Sequence, residues 1–168
     1  MLKIAITGPE SSGKTTLCEA LATYYDVTYI DEYARIYLEQ TNGEYNQSDI
    51  DQIARGQLAS LNASTNHITI CDSDFSVLEI WSRYKYGQVS KLITDLVNQD
   101  IFDLHILCSP DIPWEEDPLR ENPGNRDELF ELYNNSLIYH NKPFITVSGT
   151  HEIRMKESIK TIANLQKK

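Results

Sequence analysis

The chain has 168 residues, a length that fits one domain. Apolar residues make up 40% of it and charged residues 24%, so the chain can bury a core and is not a disordered tail. Lys and Arg number 15 against 25 Asp and Glu, which gives a formal net charge of -10. Nucleic-acid phosphates would repel so acidic a protein, which argues against non-specific DNA or RNA binding.

The three cysteines, Cys18, Cys71 and Cys108, lie far apart and show no CxxC spacing. The sequence therefore predicts neither a disulfide framework nor a zinc site. No apolar run approaches about 18 residues, and the N-terminus lacks the apolar core of a signal peptide. We expect a soluble, cytosolic domain that makes no membrane contact, and the oligomeric state stays open.

Strand-like runs alternate with segments of helical period along the chain. The strands are predicted at residues 2–7, 27–30, 67–71, 104–108 and 144–147. Helices are predicted over residues 14–25, from an N-cap at Ser48, from about Phe75, and from an N-cap at Thr150. This alternation predicts an α/β fold with a five-stranded parallel sheet that carries helices on both faces.

The segment from Gly8 to Thr15 matches the pattern G-x-x-x-x-G-K-[ST] in full. Its glycines let backbone N–H groups turn toward one point, and the helix that follows adds its positive dipole end. Lys14 would reach the β- and γ-phosphates, and the Thr15 hydroxyl would bind Mg²⁺. We therefore predict an ATP site with Mg²⁺ as cofactor. The residues expected to bind the nucleotide are Gly8, Glu10, Ser11, Ser12, Gly13, Lys14, Thr15 and Thr16.

Carboxylates follow two of the predicted strands, where ligands bind in open α/β sheets. Asp72 closes an apolar strand and is expected to hold Mg²⁺ together with Thr15. For Asp74 an active-site role and a role as helix N-cap are equally compatible with the sequence. Asp31 and Glu32 end the second predicted strand, and either a catalytic role or a loop position that caps a helix over residues 33–39 fits them.

A proline-rich insert with Pro110, Pro113, Pro118 and Pro123 interrupts the alternation, and we expect a lid over about residues 110–126. Its arginines, Arg120 and Arg126, are expected to close over the phosphates, the alternative being solvated surface residues. Trp114 lies in this polar insert and is predicted to stack on a ring of the substrate. Trp81 lies at helical spacing from Leu78, which is more typical of a core residue.

These motifs together resemble the ribosylnicotinamide kinase domain of the bacterial NadR type. The marks are the phosphate loop, Glu32-Tyr33-Ala34-Arg35, Asp72-Ser73-Asp74-Phe75, Tyr86-Gly87, and the segment from Pro113 to Arg120. The resemblance implies a P-loop nucleoside-kinase-like sandwich with three αβα layers, a five-stranded core and a short lid. It also implies phosphorylation of a ribosyl hydroxyl by ATP, with Glu32 near the acceptor and the two insert arginines in the lid.

Combining the residues with the resemblance, we expect Lys14, Glu32, Arg120 and Arg126 to be catalytic. We expect a nucleoside-like small molecule, with nicotinamide riboside as candidate, to contact Asp31, Arg35, Asp74 and Trp114. Kinase-active members carry Trp just before the Glu-Tyr pair, where this chain has Asp31. The alternative function is a nucleotide-binding ATPase switch that acts through a protein partner.

Overall fold

The computed structural model describes residues 1–99, 101–120 and 124–167. Residues 121–123, which belong to the predicted lid, lie outside the described residues. In chain order the elements are β1 (Leu2–Thr7), α1 (Lys14–Tyr25), α2 (Tyr33–Gln40), α3 (Gln47–Ala63), β2 (Ile68–Asp72), α4 (Phe75–Tyr86), α5 (Lys91–Asn98), β3 (Leu104–Cys108), α6 (Arg126–Tyr139), β4 (Phe144–Val147) and α7 (His151–Leu165).

The four strands form one parallel sheet in the order β2-β1-β3-β4. The central strand β1 pairs with both neighbours, so that Ile4 faces Ile70 on one side and Leu104 on the other. All residues of β2 and β3 are buried. Burial on both faces explains why these strands have continuous apolar runs instead of an alternation of polar and apolar residues.

The prediction of a fifth strand over residues 27–30 is wrong. Only Ile30 joins the sheet, through an isolated parallel bridge to Cys71 at the β2 edge. Its N–H donates to Ile70 O at 2.8 Å, and its carbonyl accepts from Asp72 N at 2.8 Å. The segment is too short to form a ladder, because it starts at Asp26 in the left-handed region (φ 54) and α2 begins three residues after Ile30.

Helices cover both faces of the sheet, as the alternation predicts. Leu17 and Leu21 of α1 and Ile162 of α7 pack with the strands in one cluster of buried side chains. Helices α3, α4 and α5 contribute Ile53, Leu78 and Ile93 to a second cluster. The three-layer α/β architecture is thereby confirmed, with four strands in place of five.

The sequence predicts Ser48 as the N-cap of α3, but the helix already begins at Gln47. Its N-cap is Asn46 and not Ser48, because Asn46 and Asp49 form a reciprocal capping box. Helices α5 and α6 were not predicted. Cys18, Cys71 and Cys108 are buried free thiols. Among the described residues, no helix has the length and apolar character required to cross a bilayer.

Candidate functional site

The loop between β1 and α1 is shaped by two glycines in the left-handed half of backbone space. A Cβ on Gly8 (φ +136) would lie 2.7 Å from Cys108 O, so only glycine lets β1 pass this close to β3. Gly13 (φ 82) is the N-cap of α1 and supplies no side chain to its first turn. The N–H groups at this helix end are therefore directed toward an external anion and not toward a capping side chain.

Lys14 and Ser12 fold back onto the same loop. Lys14 Nζ donates to Pro9 O at 2.9 Å, and Ser12 Oγ donates to the same carbonyl at 2.8 Å. The ammonium thus lies beside the loop backbone, at the positive end of α1. This is the arrangement of charges and dipoles that binds polyphosphate.

Asp72, at the end of β2, faces Thr15 of α1. Thr15 Oγ1 donates to Asp72 Oδ2 at 2.6 Å, while Asp72 Oδ1 is buried and has no hydrogen-bond partner among the described residues. Burial raises the pKa of this carboxyl, although Lys14 and the bond from Thr15 lower it. An unpartnered carboxylate oxygen beside a hydroxyl fits Mg²⁺, which takes one or two protein oxygens and completes its shell with water and phosphate. No cluster of three or more metal-binding side chains is found in the described part of the chain.

Glu32 and Asp31 both line the cleft in front of the phosphate loop. Glu32 is the N-cap residue of α2 by position, but its side chain makes no capping hydrogen bond. Burial raises the pKa of the Glu32 carboxyl, and the charge of Lys14 partly opposes that rise. Asp31 is exposed. The two acids therefore share one cleft while differing in solvation.

The cleft has a volume of about 650 Å³ and runs from the phosphate loop to an aromatic wall. We define this aromatic wall as Tyr45, Trp81, Tyr84 and Tyr133, which all line the cleft. Trp81 Nε1 donates to Tyr45 OH at 2.9 Å, and the two rings meet edge to face at 4.7 Å. Trp81 also packs against the second core cluster. Trp81 is therefore a core residue, as expected, and it also lines the cleft.

The insert is attached to the phosphate loop. Glu115 N donates to Ser11 Oγ at 2.9 Å, and Asp117 accepts from Arg35 at 2.8 Å. Residues 109–120 therefore connect the loop with α2. Arg35 and Arg120 line the cleft.

Arg126 and Trp114 do not line the cleft. Arg126 Nη1 donates to Ser11 O at 2.9 Å and to Ile112 O at 3.0 Å. Its guanidinium therefore links the phosphate loop to the insert. The guanidinium carbons of Arg120 and Arg126 each lie 5.8 Å from the centre of the Trp114 ring. Trp114 thus contacts the two arginines of the insert, and its predicted contact with a substrate ring stays a prediction.

Asp74 also lies outside the cleft lining. It is the N-cap of α4 and accepts from Val77 N at 3.3 Å and from Thr7 Oγ1 at 3.0 Å. The Ser76 hydroxyl lies within hydrogen-bond distance of both carboxylate oxygens, and His105 Nε2 lies 3.4 Å from Oδ2. Asp74 is only 3% exposed. Of the two alternatives open in the sequence, the geometry matches the helix cap.

Sequence reasoning missed Arg154. This side chain is 3% exposed and donates to Ser12 O at 2.8 Å, to Ser109 O at 3.0 Å and to Gly149 O at 3.1 Å, and it is paired with Asp111. It ties α7 to the phosphate loop and to the end of β3. A cation in the first turn of a helix opposes the helix dipole. The position of Arg154 near the start of α7 is therefore the sequence signal that could have indicated a special role for this residue.

Comparison with known proteins yields a family and several relatives. A family described as an AAA domain matches residues 3–154. The chain is 31% identical over 153 residues to the trifunctional NAD biosynthesis/regulator protein NadR of Escherichia coli (strain K12), an alignment that covers 86% of this chain. The chain spans only 37% of the length of that relative.

Solved structures share the fold. The structure of NadR protein in complex with NR has a TM-score of 0.78 at 20% identity and covers 97% of this chain and 51% of that chain. NadR protein in complex with NAD and AMP-PNP has a TM-score of 0.76 at 22% identity and covers 97% of this chain and 49% of that chain. At these identities the likeness establishes a common fold.

The buried Asp72 leads to a test of the cation site. Because the pKa of Asp72 is raised in the folded state, the contribution of this carboxyl to stability is fully present below its ordinary pKa and is lost as pH rises through the raised value. Asp72→Asn removes that buried charge, so we expect a higher Tm at pH 7 without ligand, by about 2–4 °C for each kcal/mol gained. We also expect loss of the Tm increase that Mg²⁺ with ATP gives to the wild type. Thermal unfolding with and without Mg²⁺-ATP measures both effects, and an unchanged Mg²⁺-ATP response would contradict the assignment.

Proposed function

The chain belongs to the AAA domain family that matches residues 3–154, and we propose that it is an ATP-dependent kinase acting on a ribosyl hydroxyl. The proposed acceptor is nicotinamide riboside or a similar nucleoside, in NAD metabolism. The relative in Escherichia coli is described as an NAD biosynthesis/regulator protein, and related structures are described as complexes with NR and with NAD and AMP-PNP. These descriptions support the proposal, as does the motif resemblance. A cytosolic location is part of the same proposal.

One observation carries the proposal. A half-buried carboxylate, Glu32, faces the same cleft as the phosphate-loop residues Lys14 and Thr15. Its raised pKa means that burial favours its protonated form. A carboxylate that accepts a proton readily and stands beside a phosphate site suits transfer to a hydroxyl group.

The proposed reaction uses each of these groups at a stated atom. The loop N–H groups and Lys14 hold the phosphates of ATP, while Glu32 takes the proton of the acceptor hydroxyl. The freed oxygen forms a bond to the γ-phosphorus, and the bond from that phosphorus to the bridging oxygen of ADP breaks. Thr15 and Asp72 would hold Mg²⁺, which neutralises phosphate charge when bound. Arg120 is the guanidinium of the insert that lines the cleft and adds positive charge there.

The far end of the cleft supports a nucleoside acceptor. Position 31 offers no aromatic face, but the rings of the aromatic wall line the same cleft. Lys85 Nζ already lies 4.0 Å from the centre of the Tyr45 ring, so the rings left for a substrate are those of Trp81, Tyr84 and Tyr133. A cationic ring such as nicotinamide in its riboside gains about 0.5–2 kcal/mol over such a face. The exposed carboxylate of Asp31 adds charge attraction, and both features favour a cationic or neutral acceptor over an anionic one.

A coupled assay of ADP release over a panel of nucleosides tests the function. The proposal expects ADP to form only when an acceptor is added, with nicotinamide riboside among the accepted compounds. ADP release that is independent of every acceptor would favour the alternative, an ATPase switch that acts on a protein partner. Lys14→Ala is the control for background ADP release, because it removes the cation next to the phosphates.

Glu32→Gln removes the proposed base and keeps the size of the side chain. We expect kcat to fall by about 100- to 10,000-fold while ATP affinity is retained, since the carboxylate acts on the acceptor. The matched control is Asp31→Asn, which removes the neighbouring charge in the same cleft and should reduce kcat far less. Full activity of Glu32→Gln together with inactive Asp31→Asn would mean that Asp31 is the base. Steady-state kinetics with both substrates varied distinguishes these outcomes.

The two tryptophans allow a matched test of the aromatic wall. Trp81→Leu should raise KM for nicotinamide riboside by about 10-fold, in line with the loss of about 0.5–2 kcal/mol of ring contact, and leave KM for ATP unchanged. Trp114→Leu, the same change outside the cleft lining, should leave the riboside KM unchanged. A raised riboside KM in Trp114→Leu with an unchanged KM in Trp81→Leu would show that Trp114 contacts the nicotinamide ring.

A further inference from the structure

The segment that carries Asp31 and Glu32 has almost no support from the sheet. Ile30 makes the last bridge to β2, and α2 begins at Tyr33. The backbone on either side of Glu32 must therefore find partners elsewhere, since unpaired polar groups are costly when shielded from water. We propose that Gln57 of α3 is the positioning residue that fixes Glu32 in the cleft. This inference rests on the proposed role of Glu32 as base.

A single side-chain amide bridges the two sides of Glu32. Gln57 Oε1 accepts from Tyr33 N at 2.7 Å, and Gln57 Nε2 donates to Asp31 O at 3.3 Å. The second Nε2 hydrogen points to Cys71 Sγ in β2, at 3.1 Å. The amide is thus satisfied on both ends and links α3, the acidic segment and the sheet.

Gln57 is only 4% exposed, which is unusual for a glutamine. Burying an amide is unfavourable unless its hydrogen bonds are made, and here each polar atom has a partner. Buried polar networks of this kind hold one geometry, because any displacement leaves a donor or an acceptor unpaired. The acidic segment therefore has one well-defined position relative to α3.

The neighbouring residue, Gly56, holds the same segment by shape. A Cβ at Gly56 would lie 2.1 Å from Tyr33 Cε1 and 2.4 Å from Tyr33 Cδ1, so the ring rests directly on the helix backbone. Glycine inside a helix destabilises it by about 0.5–1 kcal/mol relative to alanine. The ring contact explains its place here. Gly56 and Gln57 form what we call the α3 clamp, which acts on Asp31, Glu32 and Tyr33.

The carboxylate itself is not held by the helix that it begins. Glu32 makes no side-chain cap to α2, and among the described residues its one hydrogen bond is at its carbonyl, which accepts from Arg35 N at 3.1 Å. Its direction therefore follows from the backbone that the α3 clamp fixes. A general base must lie within about 2.6–3.2 Å of the hydroxyl oxygen whose proton it takes, and a 1 Å error costs about 100-fold in rate. The clamp is thus placed to control kcat and not ATP binding.

The first test needs no substitution and no acceptor. The amide of Tyr33 belongs to the first turn of α2, where helices supply no internal acceptor, so its protection must come from Gln57. We expect slow hydrogen exchange at Tyr33 in the wild type and fast exchange at Asp127, an exposed first-turn residue of α6 whose N-cap gives no side-chain bond. Equally fast exchange at both amides would overturn the clamp.

The second test is a double-mutant cycle with Gln57→Met, which keeps the volume and removes the amide. With nicotinamide riboside as probe, we expect kcat to fall by about 10- to 100-fold with KM for ATP unchanged. On a Glu32→Gln background the same change should cost less than about 2-fold, because the residue that it positions is gone. The control, Gln52→Met, places the same substitution at an exposed site of α3 and should leave kcat unaltered.

The outcomes separate the clamp from the proposed function. A loss of kcat that is equal on both backgrounds would mean a general structural defect and would overturn the positioning role. If Gln57→Met does not fold, exchange at Tyr33 in the wild type still decides whether the clamp exists. If the wild type phosphorylates no riboside, the proposed function fails. Slow exchange at Tyr33 that is lost in Gln57→Met would in that case still support the clamp.

Discussion

The site depends on the direction of the peptide groups in the loop between β1 and α1. Across a trans peptide the carbonyl of one residue and the N–H of the next point in opposite directions, and no described peptide is cis. The carbonyls of Ser11 and Ser12 accept from Arg126 and Arg154 on the outer side of the loop. The N–H groups of Ser12 and Gly13 therefore point away from these two guanidinium groups, and both residues line the cleft. Two guanidinium groups far apart in sequence thus orient the donors of the anion site without entering it.

A second constraint is the burial of negative charge beside that anion site. Burial raises the pKa of both Asp72 and Glu32, and Lys14 lowers both. The charge of Lys14 thus favours the ionised form of both carboxylates, which is the form that binds a cation or takes a proton. The protein tolerates this unfavourable burial at the place where the proposed phosphoryl transfer would use it, which is typical of functional sites.

Local patterns predicted much of this architecture, and contacts between distant segments account for what they missed. Strands β1, β3 and β4 and helix α1 have the bounds that their apolar periods predict, and the phosphate loop and its family resemblance are confirmed. Residues 27–30 have the composition of a strand, yet only Ile30 pairs, because pairing depends on how far the chain runs beside β2. The bracing role of Arg154 and the buried amide of Gln57 could not be predicted, since each acts on residues from another element.

The central claim is transfer of the γ-phosphoryl group of ATP to a hydroxyl of an organic acceptor and not to water. ³¹P NMR of the wild-type reaction with Mg²⁺, ATP and nicotinamide riboside tests it directly, because the product phosphorus reports the group that received it. We expect a phosphomonoester signal that grows in step with ADP, with little inorganic phosphate. ADP accompanied only by inorganic phosphate, or no ADP at all, would contradict it.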